Sequence, residues 1–394
     1  MPASKKRRTL VFIIVVGIAS LAVFLIPSPS RSPYKPGSSE RVAARIIEVD
    51  NSVIKQIGPI KEGDQQLRIR VLTGRFAGRE YDSANHLMGK LEFDKLFAPG
   101  DRALAVLDLS PDRKEVAYAN VIDHFRLDIL ALIALVFFAF LLFFGGSVGL
   151  RAMLSFVFTL AVIFKVLLPA MLLGWPPIPT TLAIVAILVA VILFLVGGLN
   201  RKSLAAYLGS MGGILITALL AGLVARALKI NGAALPFAES LLYMGYGNLK
   251  LQDLFISGIF LASSGAILDV GMDIAAAMDE IVVHNPAVTR LALLRSGISI
   301  GRLVIGTQVT TLLLAYSSSY SGLLMTFMAQ GIPTANVLNL AYIASEFAHT
   351  LVGSFGLVLA APLTAIVGSL LLAQKPVHGL AKHEAVGAVH PRAN

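Results

Sequence analysis

One long apolar run after another fills this chain, and no other feature limits its fold as strongly. A stretch of about 20 apolar residues crosses a bilayer as a helix, because a backbone placed in hydrocarbon must satisfy its own hydrogen bonds. Such runs lie at 127–144, 151–173, 178–196, 203–228, 251–270, 300–328 and 341–372, and a further one at 9–26 follows the basic Lys5-Lys6-Arg7-Arg8. The run at 9–26 exceeds a signal-peptide core, and the IPSPSRSP that follows offers no A-x-A cleavage site, so it reads as an uncleaved anchor. Composition points the same way: 14% of residues are charged, against roughly 25% in an average soluble domain. The fold class expected is an α-helical polytopic membrane protein with about eight transmembrane helices.

One segment breaks this pattern. Residues 27–39 are rich in Pro and Ser and read as a linker. Over 40–124 the sequence changes to short alternating runs such as QQLRIRVLTG and DRALAVLDL, separated by turn signals at Glu62-Gly63-Asp64 and Pro99-Gly100-Asp101. About five strands at this spacing predict a small β-rich, OB-like barrel. The domain order expected is a basic segment 1–8, anchor 9–26, linker 27–39, β domain 40–124, a seven-helix membrane region 125–373 and a tail 374–394.

Charge orients these parts. Arg151, Arg201, Lys202, Arg290, Arg295, Arg302, Lys375 and Lys382 fall with the amino-terminal basic cluster on one side, while the opposite short loops carry Lys229 and Lys250. The positive-inside rule then makes both termini cytoplasmic and residues 27–124 extracytoplasmic. The net charge of +10 is explained by these loops. No basic run is interleaved with exposed aromatics, so nucleic acid is not an expected partner. The absence of cysteine excludes disulfides, zinc thiolates and thiol nucleophiles.

Polar residues inside the spans are the candidate machinery, since intramembrane ionisable groups must be paired or line a wet cavity. SEFAHT places Glu346 and His349 three residues apart on one helical face. The pair reads either as a proton relay or cation site, or as a structural pair near the outer boundary. In GTQVTTLLLAYSSSYSG, hydroxyls can bond to carbonyls a turn back, whereas Gln308 cannot do so as fully, and SSSYS marks a possible break in the helix. Asp269 stands four residues before Asp273 and can look inward, while Asp273, Asp279 and Glu280 fall in the interface. Asp253 mirrors Asp269 at the outer end. Lys165 lies about mid-span, either against one of these acids (Glu346 or Asp253) or snorkelling past Pro169. Gly258, Ala262 and Ala266 form a small-residue face suited to close approach of another helix. Runs 127–144 and 178–196, almost free of polar residues, are expected to face hydrocarbon, and Asn285, Pro286 and Gly297 to bound a separate helix before the span at 300–328, the seventh with the anchor counted.

Three long stretches, YGNLKLQDLFISGIFLASSGAILDVGMDIAAAMDEI, NPAVTRLALLRSGISIGRLVIGTQVTTLLLAY and NLAYIASEFAHTLVGSFGLVLAAPLTAIVGSLLL, resemble the YibE/F-like family of bacterial membrane proteins. The resemblance covers about 127–372 and implies a polytopic protein of the bacterial cell membrane. It brings no substrate and no catalytic residue.

Three functions are therefore weighed on residues alone. A permease would move an ion or small polar solute through the polar-lined bundle. A binding or assembly protein would recruit a protein partner through the β domain. An intramembrane hydrolase would use Gly297-Ile298-Ser299-Ile300-Gly301, but G-x-S-x-G should join a strand to a helix and here lies among helices. The permease is the expectation, with the bilayer as solvent partner and no enzyme activity. No pattern assigns a cofactor; a lone Glu-x-x-His lacks the second motif that a di-iron site needs.

Overall fold

The computed structural model describes residues 3–26 and 38–373; of residues 3–9 and Ser319 only the backbone is described. Most of the expected linker and the whole tail 374–394 lie outside the described residues. The chain divides into two compact units, one of Ser30–Phe143 and one of Met1–Pro29 with Phe144–Asn394.

The smaller unit holds six strands, β1 (Ser39–Asp50), β2 (Lys55–Ile57), β3 (Ile60–Val71), β4 (Glu80–Met88), β5 (Arg102–Leu109) and β6 (Val116–His124). Alternation builds them: Leu67, Ile69 and Val71 point inward and Arg68 and Arg70 outward, the two-residue period of a half-buried strand. Every pairing is antiparallel, in the order β2-β3-β1-β5-β6, with β4 also on β3. The sheet curls, so that Val121 N on β6 donates to Ser83 Oγ on β4 at 3.2 Å. Val42, Ile46, Leu67, Ile69, Phe97 and Leu107 fill the space it encloses.

The helical unit begins with α1 (Ala3–Leu25), which runs from the basic cluster through the apolar stretch Leu10–Leu25. After the sheet comes α2 (Leu127–Val162), a π-helical turn (Ile163–Leu167) and α3 (Leu168–Leu172). The runs expected at 127–144 and 151–173 are contiguous over the apolar stretch Leu127–Leu172 but are two helices meeting at a kink, where Gly146 leaves the helical region (φ 51, ψ −127). Glycine takes that conformation without the Cβ clash that bars other residues. Next follow α4 (Pro177–Gly197), α5 (Arg201–Ala227), the short α6 (Ala238–Tyr243), α7 (Leu251–His284), α8 (Arg290–Ala329), the short α9 (Thr334–Asn339) and α10 (Ala341–Leu372). Six described helical stretches are long and apolar enough to cross a membrane: Leu127–Leu172, Pro177–Gly197, Arg201–Ala227, Leu251–His284, Arg290–Ser318 and Ala341–Leu372.

Small residues decide which helices touch. Gly209, Gly213 and Thr217 of α5 face Thr364, Ala360 and Gly356 of α10 in antiparallel register. A methyl group on Gly213 would stand 2.8 Å from Ala360 Cβ, and one on Gly209 2.6 Å from Thr364 Cα. Such steps of four put one face of each helix in reach of the other's backbone. Gly271 of α7 joins this seam against Ser210 and Thr364. Of the small-residue face expected at Gly258, Ala262 and Ala266, Ala266 packs against the core of the unit, whereas a methyl group on Gly258 would meet nothing within 4 Å. Nor does 178–196 face only hydrocarbon, because Thr181, Val185, Leu188 and Val189 of α4 are buried. A helix apolar all round has no polar face to keep out of a bundle.

The seventh-span region also differs from expectation. Thr289, not Asn285, caps α8, its side chain accepting from Ala292 N at 3.3 Å. Gly297 sits inside that helix against Met278 and Ala365, rather than closing it. The helix runs unbroken for 40 residues through SSSYS. Thr307, Thr311, Ser317, Ser318 and Ser321 each bond to a carbonyl three or four residues back, so none of them interrupts the ladder.

Candidate functional site

Glu346 and His349 lie on the first turns of α10 where Tyr316 and Tyr320 of α8 cross them. The antiparallel contact of Gly297 with Ala365 and of Gly301 with Ala361 at the other end sets this register. The imidazole of His349 packs on the Tyr316 ring with centroids 4.6 Å apart and planes tilted by 32°. Tyr320, 3% exposed, lies 5.8 Å from the Phe347 ring. Glu346 is half-buried on the same face. Thr350 Oγ1 donates to Glu346 O at 3.1 Å, so the hydroxyl satisfies itself on the backbone and leaves the carboxylate alone. The Nε2 atom of His349 is buried and has no hydrogen-bond partner among the described residues. An imidazole nitrogen in that state can accept or release a proton once water or a solute reaches it.

The two tyrosines carry a signal that the serine-rich reading of this segment passes over. They are four residues apart, hence on one face, and each brings an amphipathic ring to an otherwise hydroxyl-dotted helix.

The remaining candidates lie elsewhere. Gln308 is half-buried on α8, eight residues and about 12 Å before Tyr316. Ser263 against Gly353 and Met278 against Gly368 set α7 parallel to α10, which puts Asp269 about ten residues, roughly 15 Å, farther along the bundle than His349. Asp269 is exposed on α7, as is Asp273 four residues on. Asp253 occupies the first turn of α7, where a carboxylate favours the positive helix end. Beside it Gln252 Nε2 donates to Ile230 O at 2.9 Å, tying the preceding loop to this helix. Among the described residues, Gln308, Asp269 and Asp253 make no hydrogen bond or ion pair with the α8–α10 cluster. Lys165 meets neither Glu346 nor Asp253; its Nζ donates to Ile26 O at 3.3 Å.

A cavity of about 390 Å³ adjoins the cluster between α5 and α10, and its walls are apolar, including Leu220, Val224, Phe347, Ala348 and Val352. Among the described residues, no three His, Asp or Glu side chains gather as a metal-binding group. Ser299 of the G-x-S-x-G match lies within the continuous α8, not on a strand-to-helix turn. At the opposite end of the helical unit cations meet helix ends: Arg151 Nη1 lies 3.4 Å from Leu195 O and Val196 O, Arg201 Nη1 3.4 Å from Leu371 O, and Lys202 Nζ 3.9 Å from Asp279.

Comparison with curated proteins and with solved structures returned no match in either case. A family model described as YibE/F-like protein matches residues 133–374.

Proposed function

Because the chain belongs to the YibE/F-like family, and the matched region is built of helices long enough and apolar enough to span a membrane, we propose that this multi-pass membrane protein is a permease for an ion or small polar solute. The observation that carries the reading is the cluster of Glu346, His349, Tyr316 and Tyr320, with a buried imidazole nitrogen lacking a partner among the described residues. Ionisable groups inside spans are rare and costly, and by default they point to an ion or proton path. Glu346 and His349 exchange a proton or hold a cation, with Gln308 farther along the same helix pair; Asp269 serves an inner mouth, and Asp253 and Lys165 stand outside this path.

The finer architecture belongs to the same proposal. The chain spans the bacterial cell membrane eight times, with α1 as the anchor and Gly146 dividing Leu127–Leu172 into two spans. The cation-rich end holding Arg151, Arg201 and Lys202 faces the cytoplasm with both termini, and the sheet is an OB-like extracytoplasmic domain. The protein has no enzyme activity on this reading.

The test is proton flux into proteoliposomes, read with trapped pyranine under a potassium diffusion potential. The unaltered protein acidifies or alkalinises the lumen above protein-free vesicles, and Glu346→Gln lowers the rate at least about tenfold, the weight of an essential proton carrier. Flux unchanged in Glu346→Gln removes the assigned role.

A second reading has one specific support. Val53, Ile57, Met88, Leu91 and Phe93 of the β unit are all 46% exposed or more, and exposed apolar groups of this kind mark interaction surfaces. A protein partner bound there would make the β unit a recruiting domain.

A further inference from the structure

Leu91 and Phe93 stand out from the β unit on a loop that turns an acid inward. Between β4 and β5, Asp94 accepts from Met88 N and Lys90 N at 2.9 and 2.7 Å, while Phe93 N and Asp94 N donate to Lys90 O at 2.9 and 2.8 Å. Gly89, at φ 77, lets the chain fold back within this ring, a left-handed turn that costs glycine little. Farther on, Lys95 O is held by Asn85 Nδ2 at 2.6 Å. With the carboxylate bonded inside the loop, Met88, Leu91, Phe93 and Leu96 remain in the open, at 56, 70, 46 and 39% exposure. A hairpin tip joins them: Ile57 pairs with Ile60, and a methyl group on Gly89 would lie 3.1 Å from Ile60 Cγ2.

Contacts within the same unit place this loop. Phe97, next after Leu96, stacks on His124 with ring centroids 4.6 Å apart, and its backbone N and O both bond to the Gln65 side chain. His124 ends β6, and α2 begins three residues later. That junction is stiff: Phe125 N donates to Arg102 O at 2.8 Å, Arg126 pairs with Asp123 at 2.9 Å, and Arg102 pairs with Asp128 in the first turn of α2. The apolar loop therefore lies at the end of the sheet that hands the chain to α2. The turn at 110–115 lies at the opposite end, because Leu109 pairs with Val116 there, whereas Ala103 pairs with His124 beside α2.

Just outside the hydrocarbon that α2 enters lies the head-group layer, where apolar side chains flanked by lysines settle about 5–10 Å into the boundary. Besides the inward Asp94, the loop carries Lys90 and Lys95 against Glu92. Lysine stems can lie along lipid while the ammonium reaches phosphate. A protein partner would cover the same apolar side chains, but it gives no reason for them to stand beside the start of a span. We infer that the loop 88–96 and the hairpin tip at Ile57 insert into the surface of the bilayer that α2 enters, and so seat the β unit on phospholipid rather than on a protein. This inference rests on α2 crossing a membrane and not on the transport role.

The chain has no cysteine, so a single introduced thiol reports a single place. The full chain bearing Leu91→Cys, Lys114→Cys or Leu135→Cys, each labelled with an environment-sensitive fluorophore, is reconstituted in vesicles of phosphatidylcholine and phosphatidylglycerol that carry nitroxides on the acyl chains. Leu135, 67% exposed on α2, marks the span, and Lys114 marks the far turn. Lipid nitroxide is expected to quench the label at 91 at least about threefold more than the label at 114, the contrast between a loop in the boundary and a turn in water, and aqueous iodide to do the reverse. Phe93→Asp lowers lipid quenching at 91 to the level seen at 114, whereas Phe93→Leu keeps it; unaltered emission at 114 in the same two variants reports that the sheet is intact. Quenching at 135 without quenching at 91 overturns the seating alone, and its absence at both overturns the span as well. A label at 91 that is shielded from iodide yet untouched by lipid nitroxide puts protein there instead and overturns the assignment to lipid. Quenching that survives Phe93→Asp overturns the part given to the apolar side chains.

Discussion

Gln65 is fully buried in the β unit and its amide is used on both sides. Its Nε2 donates to Asn51 Oδ1 and to Phe97 O at 2.8 and 2.9 Å, while Oε1 accepts from Phe97 N and Asn85 Nδ2 at 3.0 and 3.2 Å. One side chain thus ties β3 to β4 and to the segment before β5. Gln65→Ala orphans several of these groups at once and is expected to destabilise the unit by about 2–4 kcal/mol, measured as the shift in urea-dependent protease sensitivity of the full chain. A shift under about 0.5 kcal/mol, the range of an ordinary surface change, would show that water replaces the amide without loss. The position of Gln65 is legible beforehand, being in phase with Leu67, Ile69 and Val71; its partners are not, because they come from distant turns. The same limit governs the candidate site. The spacing of Glu346 and His349 is local and survives intact, whereas the arrival of Tyr316 depends on how α8 crosses α10. For Lys165 the sequence leaves an acid partner and snorkelling past Pro169 both open, and the ammonium donates to the helix-end carbonyl of Ile26, which is too far along the chain for spacing to suggest.

Apolar length makes the helices readable as elements, and charged caps approximate their ends. Small-residue spacing shows that a helix can be approached closely without saying by which neighbour, which is why Gly258 looks like a contact and is open while Gly209, Gly213 and Gly356 carry the contact. A methyl group on Gly356 would collide with Thr217 Oγ1 and lie 3.0 Å from its Cβ. Gly356→Ala is therefore expected to lower stability by about 1–3 kcal/mol, as overpacking does, seen as a reduced unfolding temperature of the detergent-solubilised protein. Gly258→Ala, placed in open space, should change it little. Equal effects of the two would remove the seam from its proposed place at the centre of the unit. The continuity of α8 through its serine cluster is not legible in the sequence, since such clusters accompany a break in one context and a self-satisfied helix in another.

On the scale of the whole molecule, the lack of cysteine gives a clean background for testing orientation. Lys114→Cys in the β unit and Asn285→Cys after α7, both exposed positions, are expected to behave oppositely in intact cells: a membrane-impermeant maleimide labels the first at once and the second only after lysis. Labelling of both in intact cells, or the reverse pattern, contradicts the orientation drawn from the basic loops. The change from strand to helix is legible because hydrophobic period and run length change together near residue 125, between β6 ending at His124 and α2 starting at Leu127. The seam between α5 and α10 also bears on motion. Two helices with no room for a methyl between them cannot slip a turn past one another without collision, so in any transport cycle they travel as a single strut. The hinge then lies outside that pair, in elements laid around it such as the outer stretch of α8, whose surface from Gly306 to Gly322 is largely open.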